Sequence, residues 1–519
     1  DAVKDLFFNK GKECGSSQNL LSYVWYVQIS MSLGYSFSSL HTTGYSVIAI
    51  QEMNLARFYP IIYWNCACLS VDSSAINSSD FYNLIDENII DIDTIDADGN
   101  GKNKMDYAKL ASALDKFRKI CTIKTPDINE SRLSFRPLAK DNTILYGLKG
   151  ITKITDPVIQ QIMSNRPYKS LDDFIEKVAG RIITKDKIIN LIKCGAFDNI
   201  EKIDRKDILA KFIRKICAPK QKLTLQNMSM LINNNLLPQE LDDEVNVYLL
   251  TKELRKHRDE SKNWYRIDEL AMPIDRVDAW KEVFKKSKIT PESLSLSGLK
   301  GNWIEASKWD HFYDAEMNVC RDYIKKNQTD LLNKLNQQLF DAEWNNYCSG
   351  DQLQWELDSL NFYFSGHPLT KIYKDVGVEL SRLDNIIEGA VDGSFFIKGK
   401  TIPRMKLYTI IGTVIDRDKT KGVVTLQTID GVISLKVYKD LYSTMIAVTP
   451  TQESFFEKGV HLMVTGILRG VSFIPKVYKN TGRKAIMHLI LSADGKSLDR
   501  VEAKEDINAD EKARETANS

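Results

Sequence analysis

The sequence has no surplus of either charge, no long apolar run and no cysteine framework, and each absence removes a class of function. Its 71 Lys and Arg face 69 Asp and Glu, a net of +2. Overall charge therefore argues neither for nor against nucleic acid, and only local clusters can. No uninterrupted apolar stretch is long enough to span a membrane. The opening DAVKDLFFNKGKECG lacks a basic start followed by an apolar core, so it does not read as a secretory signal. The first residue is Asp1 rather than Met, which points to processing or to a piece of a longer chain.

The 8 cysteines are scattered, unlike those of a secreted disulfide scaffold. Cys66-Ala67-Cys68 is the one close pair, and no second Cys/His pair follows to complete a tetrahedral zinc site. Buried thiols in a reducing cytoplasm are the simpler reading. The 6 histidines, His41, His257, His311, His367, His461 and His488, form no HExxH helix. GxSxG and GxxxxGK[ST] are also missing, which sets aside the familiar hydrolase and P-loop signatures.

What is present is a globular balance, 43% hydrophobic and 27% charged over 519 residues. At roughly 100–200 residues per domain this predicts two to four domains. Residues 17–70 carry helical spacing in LLSYVWYVQISMSLGY and YSVIAIQEMNLARFYPIIYWNCACL, and predict two buried helices joined through a polar piece, Ser36–Thr43. Residues 71–105 read as an acidic loop insertion and 106–120 as an amphipathic helix. Short helices follow over 143–200, one opened by Ser170 with Asp172 and Asp173, another closed by Gly195. Residues 201–355 are helical in character without a recognisable motif. Over 406–475 the period changes to that of strands, in YTIIGTVID, GVVTLQTID, GVISLKVY and HLMVTGILRG, which predicts a small barrel. From about residue 496 a polar, disordered tail is expected.

Several clusters invite chemistry. Asp96, Asp98, Asn100 and Gly101 match the start of a calcium loop, but the twelfth position is Tyr107 where a bidentate Glu belongs. A solvated acidic turn is the plainer reading. Asp91, Asp93, Asp96 and Asp98 do not suit a two-metal site either, because such carboxylates need rigid strands. In 202–222, Lys206, Lys211, Arg214, Lys215, Lys220 and Lys222 form either a phosphate-facing surface or a solvated helix face. Lys149 and Lys153 flank a turn before a helix whose N-terminus suits phosphate. In the β-rich block, Tyr438, Tyr442 and Phe473 are candidates for base stacking, with Lys436, Lys439 and Arg469 nearby, or else core residues.

Four segments in order then carry a resemblance: GYSFSSLHTTGYSVIAIQ through FYP, PDINESRLSF through LIKCGAFD, LNFYFSGHPL, and the β-rich block. Together they resemble the C-terminal half of the bacterial replicative DNA polymerase III α subunit, a C-family polymerase. PDINES (Pro126–Ser131) and SGHPL (Ser365–Leu369) are the most specific matches. The fold implied is a multidomain α+β chain. A mainly helical remnant of the fingers (1–125) and a helix–hairpin–helix, clamp-binding region (126–200) would precede a divergent or inserted helical region (201–354). A linker with SGHPL (355–405), an oligonucleotide-binding (OB) barrel (406–495) and the tail (496–519) would follow.

By that resemblance the complete protein is a DNA-directed DNA polymerase using Mg2+ held by palm aspartates. Those aspartates lie upstream of the fingers segment, so no catalytic residue is carried over and this chain alone is expected to be inactive. The candidate DNA contacts are then His41 and Tyr45 in the fingers match, Lys149, Lys153 and Thr155 at the hairpin, Lys206, Lys211 and Arg214 from the basic run, and Lys436, Tyr438, Arg469 and Phe473 from the β-rich block. The family's Asn-Lys-Ser-His is here Ser38-Ser39-Leu40-His41, and its hairpin Gly-Val-Gly is Lys153-Ile154-Thr155, where lost glycines weaken close backbone approach to phosphate. A sliding-clamp peptide is expected at Gln337, Leu339 and Phe340. The implied partners are primed and single-stranded DNA, the clamp and the rest of the polymerase, in a bacterial cell and possibly phage-encoded. The rivals are a non-catalytic or split-polymerase accessory and a calcium-responsive structural protein.

Overall fold

The structure is a computed structural model that describes residues 2–29, 39–73 and 106–505, apart from 179, 181, 297, 398 and 479–483. The start of the candidate calcium loop, Asp96–Gly101, lies outside the described residues with Asp91 and Asp93, as does 506–519. Chain contacts divide the protein into two units, Asp1–Lys124 with Ser134–Tyr146, and Thr125–Leu133 with Gly147–Ser519.

The first unit holds α1 (Ala2–Glu13), α2 (Gln18–Tyr23), α3 (Ser39–Phe58), α4 (Ile61–Asp72) and α5 (Tyr107–Arg118). Asp106 opens α5 as its N-cap, its Oδ1 accepting the Lys109 N–H at 3.0 Å. A small sheet has the order β1 (Thr122–Lys124), β3 (Thr143–Leu145), β2 (Arg136–Leu138). Ile62, Cys66 and Leu69 of α4 and Leu110, Leu114 and Phe117 of α5 are buried, as the helical spacing requires. Burial pushes the Cys66 thiol up to about 12, which keeps it inert. The expectation of two buried helices over 17–70 is corrected. The helix α2 stops at Tyr23 and passes into a π-turn, Val24–Ile29. The helix α3 begins inside the supposed polar connection and exposes Leu40 (83%), Met53 (71%) and Phe58 (78%). Apolar spacing guarantees an apolar face, not its covering.

The second unit opens with α6 (Asp156–Ser164), α7 (Leu171–Val178), α8 (Lys185–Lys193), α9 (Asp198–Glu201) and α10 (Arg205–Ile216). Gly195 ends the α8 segment at φ 88°, and a Cβ there would stand 2.4 Å from the Arg205 guanidinium, so conformation and space both demand glycine. Next come α11 (Met228–Asn233), α12 (Asp242–Leu254), β4 (Trp264–Arg266), α13 (Val277–Ser287), β5 (Glu292–Leu296), β6 (Leu299–Glu305), α14 (Ala306–Lys326) and α15 (Gln328–Tyr347). The sheet ordered β4-β6-β5 was not anticipated in this otherwise helical stretch. Its core centres on Trp309, fully buried, whose Nε1–H donates to Thr251 Oγ1 at 3.0 Å.

Residues 355–405, read as a linker, are more ordered than that. They carry most of α16 (Gln352–Leu360) and the whole of a hairpin of β7 (Val391–Ile397) with β8 (Lys400–Met405). The barrel follows, with β9 (Tyr408–Asp418), β10 (Val423–Gln427), β11 (Val432–Lys436), α17 (Lys439–Ile446), β12 (His461–Arg469) and β13 (Ser472–Pro475). Its ladders run β9-β10-β11-β13-β12 and back to β9, so 5 strands close on themselves, with β11 and β13 parallel. That is the small barrel expected from the period change, with the OB-like closure that the resemblance implied. Two more strands, β14 (Ile486–Leu491) and β15 (Leu498–Ala503), continue the sheet from β12. The expected tail is corrected over 496–505, because β15 pairs along β14. Leu369, Ile372 and Val376 pack with Ile411 and Leu489 in a second core, separate from that inside the barrel.

Candidate nucleic-acid interface

The PDINES segment is a clasp. Asp127 Oδ1 accepts the N–H groups of Asn129 and Glu130, both at 2.8 Å, and its Oδ2 accepts from Asn199 Nδ2 at 2.7 Å. Asn129 pairs with the main chain of Tyr168 in both directions at 2.8 Å. Arg166 donates to the carbonyls of Ile128 and Ser131. These bonds consume the motif's polar atoms, so its role is to fix α6 and α7 against the start of the unit.

The hairpin lies between Leu148–Gly150 and α6. Thr155 stands at the N-cap of α6 and is exposed, without a side-chain cap bond. Lys153 is exposed and left-handed, φ 65°, where the family's glycine would sit without strain. Lys149 is not a surface cation. Its side chain is 11% exposed and its Nζ lies 3.8 Å from Asp156 Oδ2, so burial removes it as a phosphate ligand. The hairpin backbone is also engaged. The Thr152 N–H donates to the Ser359 carbonyl at 2.8 Å, and Thr152 Oγ1 donates to the Asp358 carbonyl at 2.8 Å. Beside it opens a cavity of about 420 Å³, lined by Lys153, Asn190, Lys193, Asn346, Asn361 and Lys458 among others.

The basic run 202–222 is largely answered within the fold. Lys211 Nζ lies 3.0 Å from Asp172 and 3.6 Å from Glu201, and Lys215 is 3.3 Å from Asp172. Hydrogen bonding from Lys211 holds Asp172 below the usual carboxylate range and lifts the lysine. Arg214 stacks over Phe340 at 5.4 Å. Lys206 stays exposed. On α3, His41 and Tyr45 are exposed neighbours with ring centroids 4.7 Å apart.

On the barrel, Tyr438 is 62% exposed and Arg469 ends β12 on the surface. Lys436 is exposed and its Nζ donates to the Lys421 carbonyl. Phe473 is corrected, being fully buried in the barrel core, and Tyr442 is buried with it. Alternation along a strand says which residues share a face, not which face is inside. The candidate clamp peptide is helical. Gln337, Leu339 and Phe340 lie within α15, with Gln337 Nε2 donating to Asp341 and Leu339 against the core. Phe340 stacks on Trp344 at 5.7 Å. None stands out as an extended anchor.

SGHPL is a latch between α16 and the barrel. Glu356 is fully buried, and its carboxylate accepts the N–H groups of Phe364 (2.7 Å) and Ser365 (2.8 Å), with Arg205 at 3.8 Å. Gln427 of β10 holds the Tyr363 main chain at 2.9 and 3.1 Å. His367 Nε2–H donates to the Gln427 carbonyl at 2.8 Å, and its Nδ1 accepts the Leu369 N–H at 3.2 Å. Thr413 Oγ1 links it to His461, 2.8 Å from Nδ1. Desolvation, then the neighbouring His461, push His367 down to about 3. Burial, then His488, push His461 down to about 4. Sequence reasoning missed Glu356, Lys193 and Lys458. A Glu between Trp355 and Leu357 on a short amphipathic helix was the one available hint.

Comparison with known proteins agrees with this architecture. A helix-hairpin-helix motif model matches residues 121–208. The chain is 37% identical over 502 residues to the probable DNA polymerase YorL of Bacillus subtilis, covering 92% of this chain and 36% of that protein. The DNA-directed DNA polymerase of Bacillus phage SPbeta gives the same figures. The DNA polymerase III subunit alpha of Borreliella burgdorferi is 30% identical over 173 residues, 32% of this chain and 12% of that protein. The chain thus spans about a third of the length of the Bacillus relatives. With 92% of the chain in the match, most of 201–354 is shared with them, although it had no counterpart in the family pattern. The resemblance to polymerase III α-like DNA polymerases read from the four motifs is borne out.

Proposed function

We propose that this chain is the C-terminal portion of a polymerase III α-like replicative DNA polymerase. It holds primed and single-stranded DNA during template-directed synthesis, and bond formation rests with palm aspartates outside the sequence given. The observation that carries this reading is a helix–hairpin–helix region and a closed OB barrel in one unit, in the family's order. The two are tied through Ser359, Glu356 and Gln427, which suits a rigid double grip on one DNA.

Mg2+ is the cofactor of such a polymerase. Among the described residues no group of three or more His, Cys, Asp or Glu could hold a metal, so no metal-dependent step is assigned to them. The sliding clamp is a partner in this reading, and its use of Gln337–Phe340 would forfeit the packing of Phe340 on Trp344. The exposed apolar residues of α3 suit cover by the remaining polymerase. Among the described residues no helix is long and apolar enough to cross a membrane. The proposed setting is the bacterial cytoplasm, with a phage-type replication system favoured by the SPbeta relative.

Fluorescence anisotropy with a primed template between 50 and 200 mM salt tests the reading. Each neutralised phosphate adds about 0.7–0.9 to the slope of log affinity against log salt. A steep slope is expected, and absent or salt-insensitive binding overturns the proposal.

A further inference from the structure

We infer that the cavity beside the hairpin is a phosphate site built jointly by the hairpin, α8 and the loop before β12. Its ligand is a phosphate group, carried either on a DNA strand or on a free nucleotide. Only the choice of DNA as a source rests on the function proposed above.

Three lysines from three separate elements line this one cavity: Lys153 from the hairpin, Lys193 from α8 and Lys458 from the loop entering the barrel. Their charges are not equally committed. Lys193 is 8% exposed and paired with Asp358 at 2.9 Å, and the other Asp358 oxygen accepts from Gln354 Nε2 at 2.8 Å. That carboxylate is therefore already satisfied. Among the described residues Lys458 hydrogen-bonds to the Asp358 carbonyl, at 3.4 Å, and feels the charge of Asp358 and Asp416. Lys153 makes no hydrogen bond or ion pair among the described residues. Two ammonium groups are thus available against one further lining carboxylate, Asp186.

The crowding has an electrostatic signature. Desolvation, reinforced by the charge of Lys193, brings Lys458 down to about 8 despite opposing carboxylates. The Lys458 side chain also reaches solvent, so a ligand can approach it. An anion placed there would reverse the shift. Lysine serves phosphate as a point charge and needs no fork geometry.

The volume, about 420 Å³, exceeds what a bare phosphate fills and leaves room for an attached sugar or base. Tyr347 provides a flat wall, with Lys185 Nζ 4.8 Å from its ring centroid. The hairpin's own Thr152 N–H is turned away to Ser359, so side chains rather than this backbone donor supply the recognition.

The test uses the full chain with Lys153→Gly, Lys458→Gln and the double variant, each checked for an unchanged melting temperature. Glycine suits the left-handed φ at 153, and Lys458 is exposed, so all three should fold. Thymidine monophosphate is titrated calorimetrically, and a single-stranded oligonucleotide is titrated at several salt concentrations. Nucleotide binding that weakens at least tenfold in the double variant identifies a free nucleotide as the source. A silent nucleotide with a DNA salt slope lower by about 0.7 identifies one backbone phosphate. A silent nucleotide with an unchanged DNA slope overturns the site and leaves the DNA-holding reading intact. No response to either probe by the wild-type chain overturns both.

Discussion

Acid should loosen the barrel well before its carboxylates protonate, because two histidines are folded in as neutral groups. His367 is 7% exposed, bonded at both ring nitrogens to main-chain partners, and pushed down to about 3 by burial and by His461. His461 is pushed down to about 4. In the unfolded chain both titrate near 6.5. Between the folded and unfolded values the unfolded state carries protons that the folded state refuses, so stability falls as pH falls below 6.5. Each group contributes a slope of about 1.4 kcal/mol per pH unit. From pH 6.5 to 5 that is about 2 kcal/mol each, or about 4 kcal/mol together. The sum is a ceiling, since His461 keeps some solvent contact. It is still a large part of a domain's usual 5–15 kcal/mol. Urea midpoints from pH 7.5 to 5, followed by tryptophan fluorescence, measure it. His461→Asn, which keeps an acceptor near Thr413 Oγ1, should remove about half of the pH slope. A flat wild-type profile, or an undiminished slope in the His367→Asn/His461→Asn variant, refutes the argument.

Two further outcomes follow from residues whose surroundings differ from their sequence pattern. Glu356→Ala would strand the buried Phe364 and Ser365 N–H groups, while Arg205 keeps its pair with Asp198, and should cost about 1–3 kcal/mol per unpaired N–H in denaturant titrations; a loss under about 1 kcal/mol in all sinks the latch. Phe473→Ala should cost about 3–5 kcal/mol of barrel stability, whereas Tyr438→Ala should leave stability alone and weaken single-stranded DNA by about 1–3 kcal/mol; equal effects on both assays would contradict their placement.

The larger divisions of this fold were legible because they depend on period and order. The switch from helical to alternating spacing near residue 406 marks the strands that close the barrel. Ser170 and Gly195 act as helix signals where local chemistry alone decides, Ser170 Oγ accepting the Asp173 N–H at 3.1 Å. Legibility fails where tertiary partners choose between equal local options. Phe473 and Tyr438 are both aromatics in a β-rich block, but one faces the barrel interior and the other solvent. LDRVEA looks like tail because an edge strand needs only one apolar face, yet it pairs along β14. Short strands such as WYR carry too few residues to show a period at all. The basic run 202–222 stayed open between a phosphate surface and a solvated face because Asp172 and Glu201, which answer it, come from other elements.

The hairpin shows how these departures fit together. Glycines at such a turn let backbone N–H groups reach a phosphate directly. Here Lys153 and Thr155 replace them, and the Thr152 N–H has become a structural bond to Ser359, joining the hairpin to α16. That bond and the Glu356 latch, one turn earlier on α16, fix hairpin and barrel in one unit. A hairpin used this way has less backbone to offer DNA and more side-chain charge, from Lys153 and from Lys458 across the cavity. Charge acting through flexible lysines discriminates little between strand geometries, whereas a row of backbone donors fits one shape. On the phosphate-site proposal, this region would hold a phosphate chain in register with the barrel more than read its conformation.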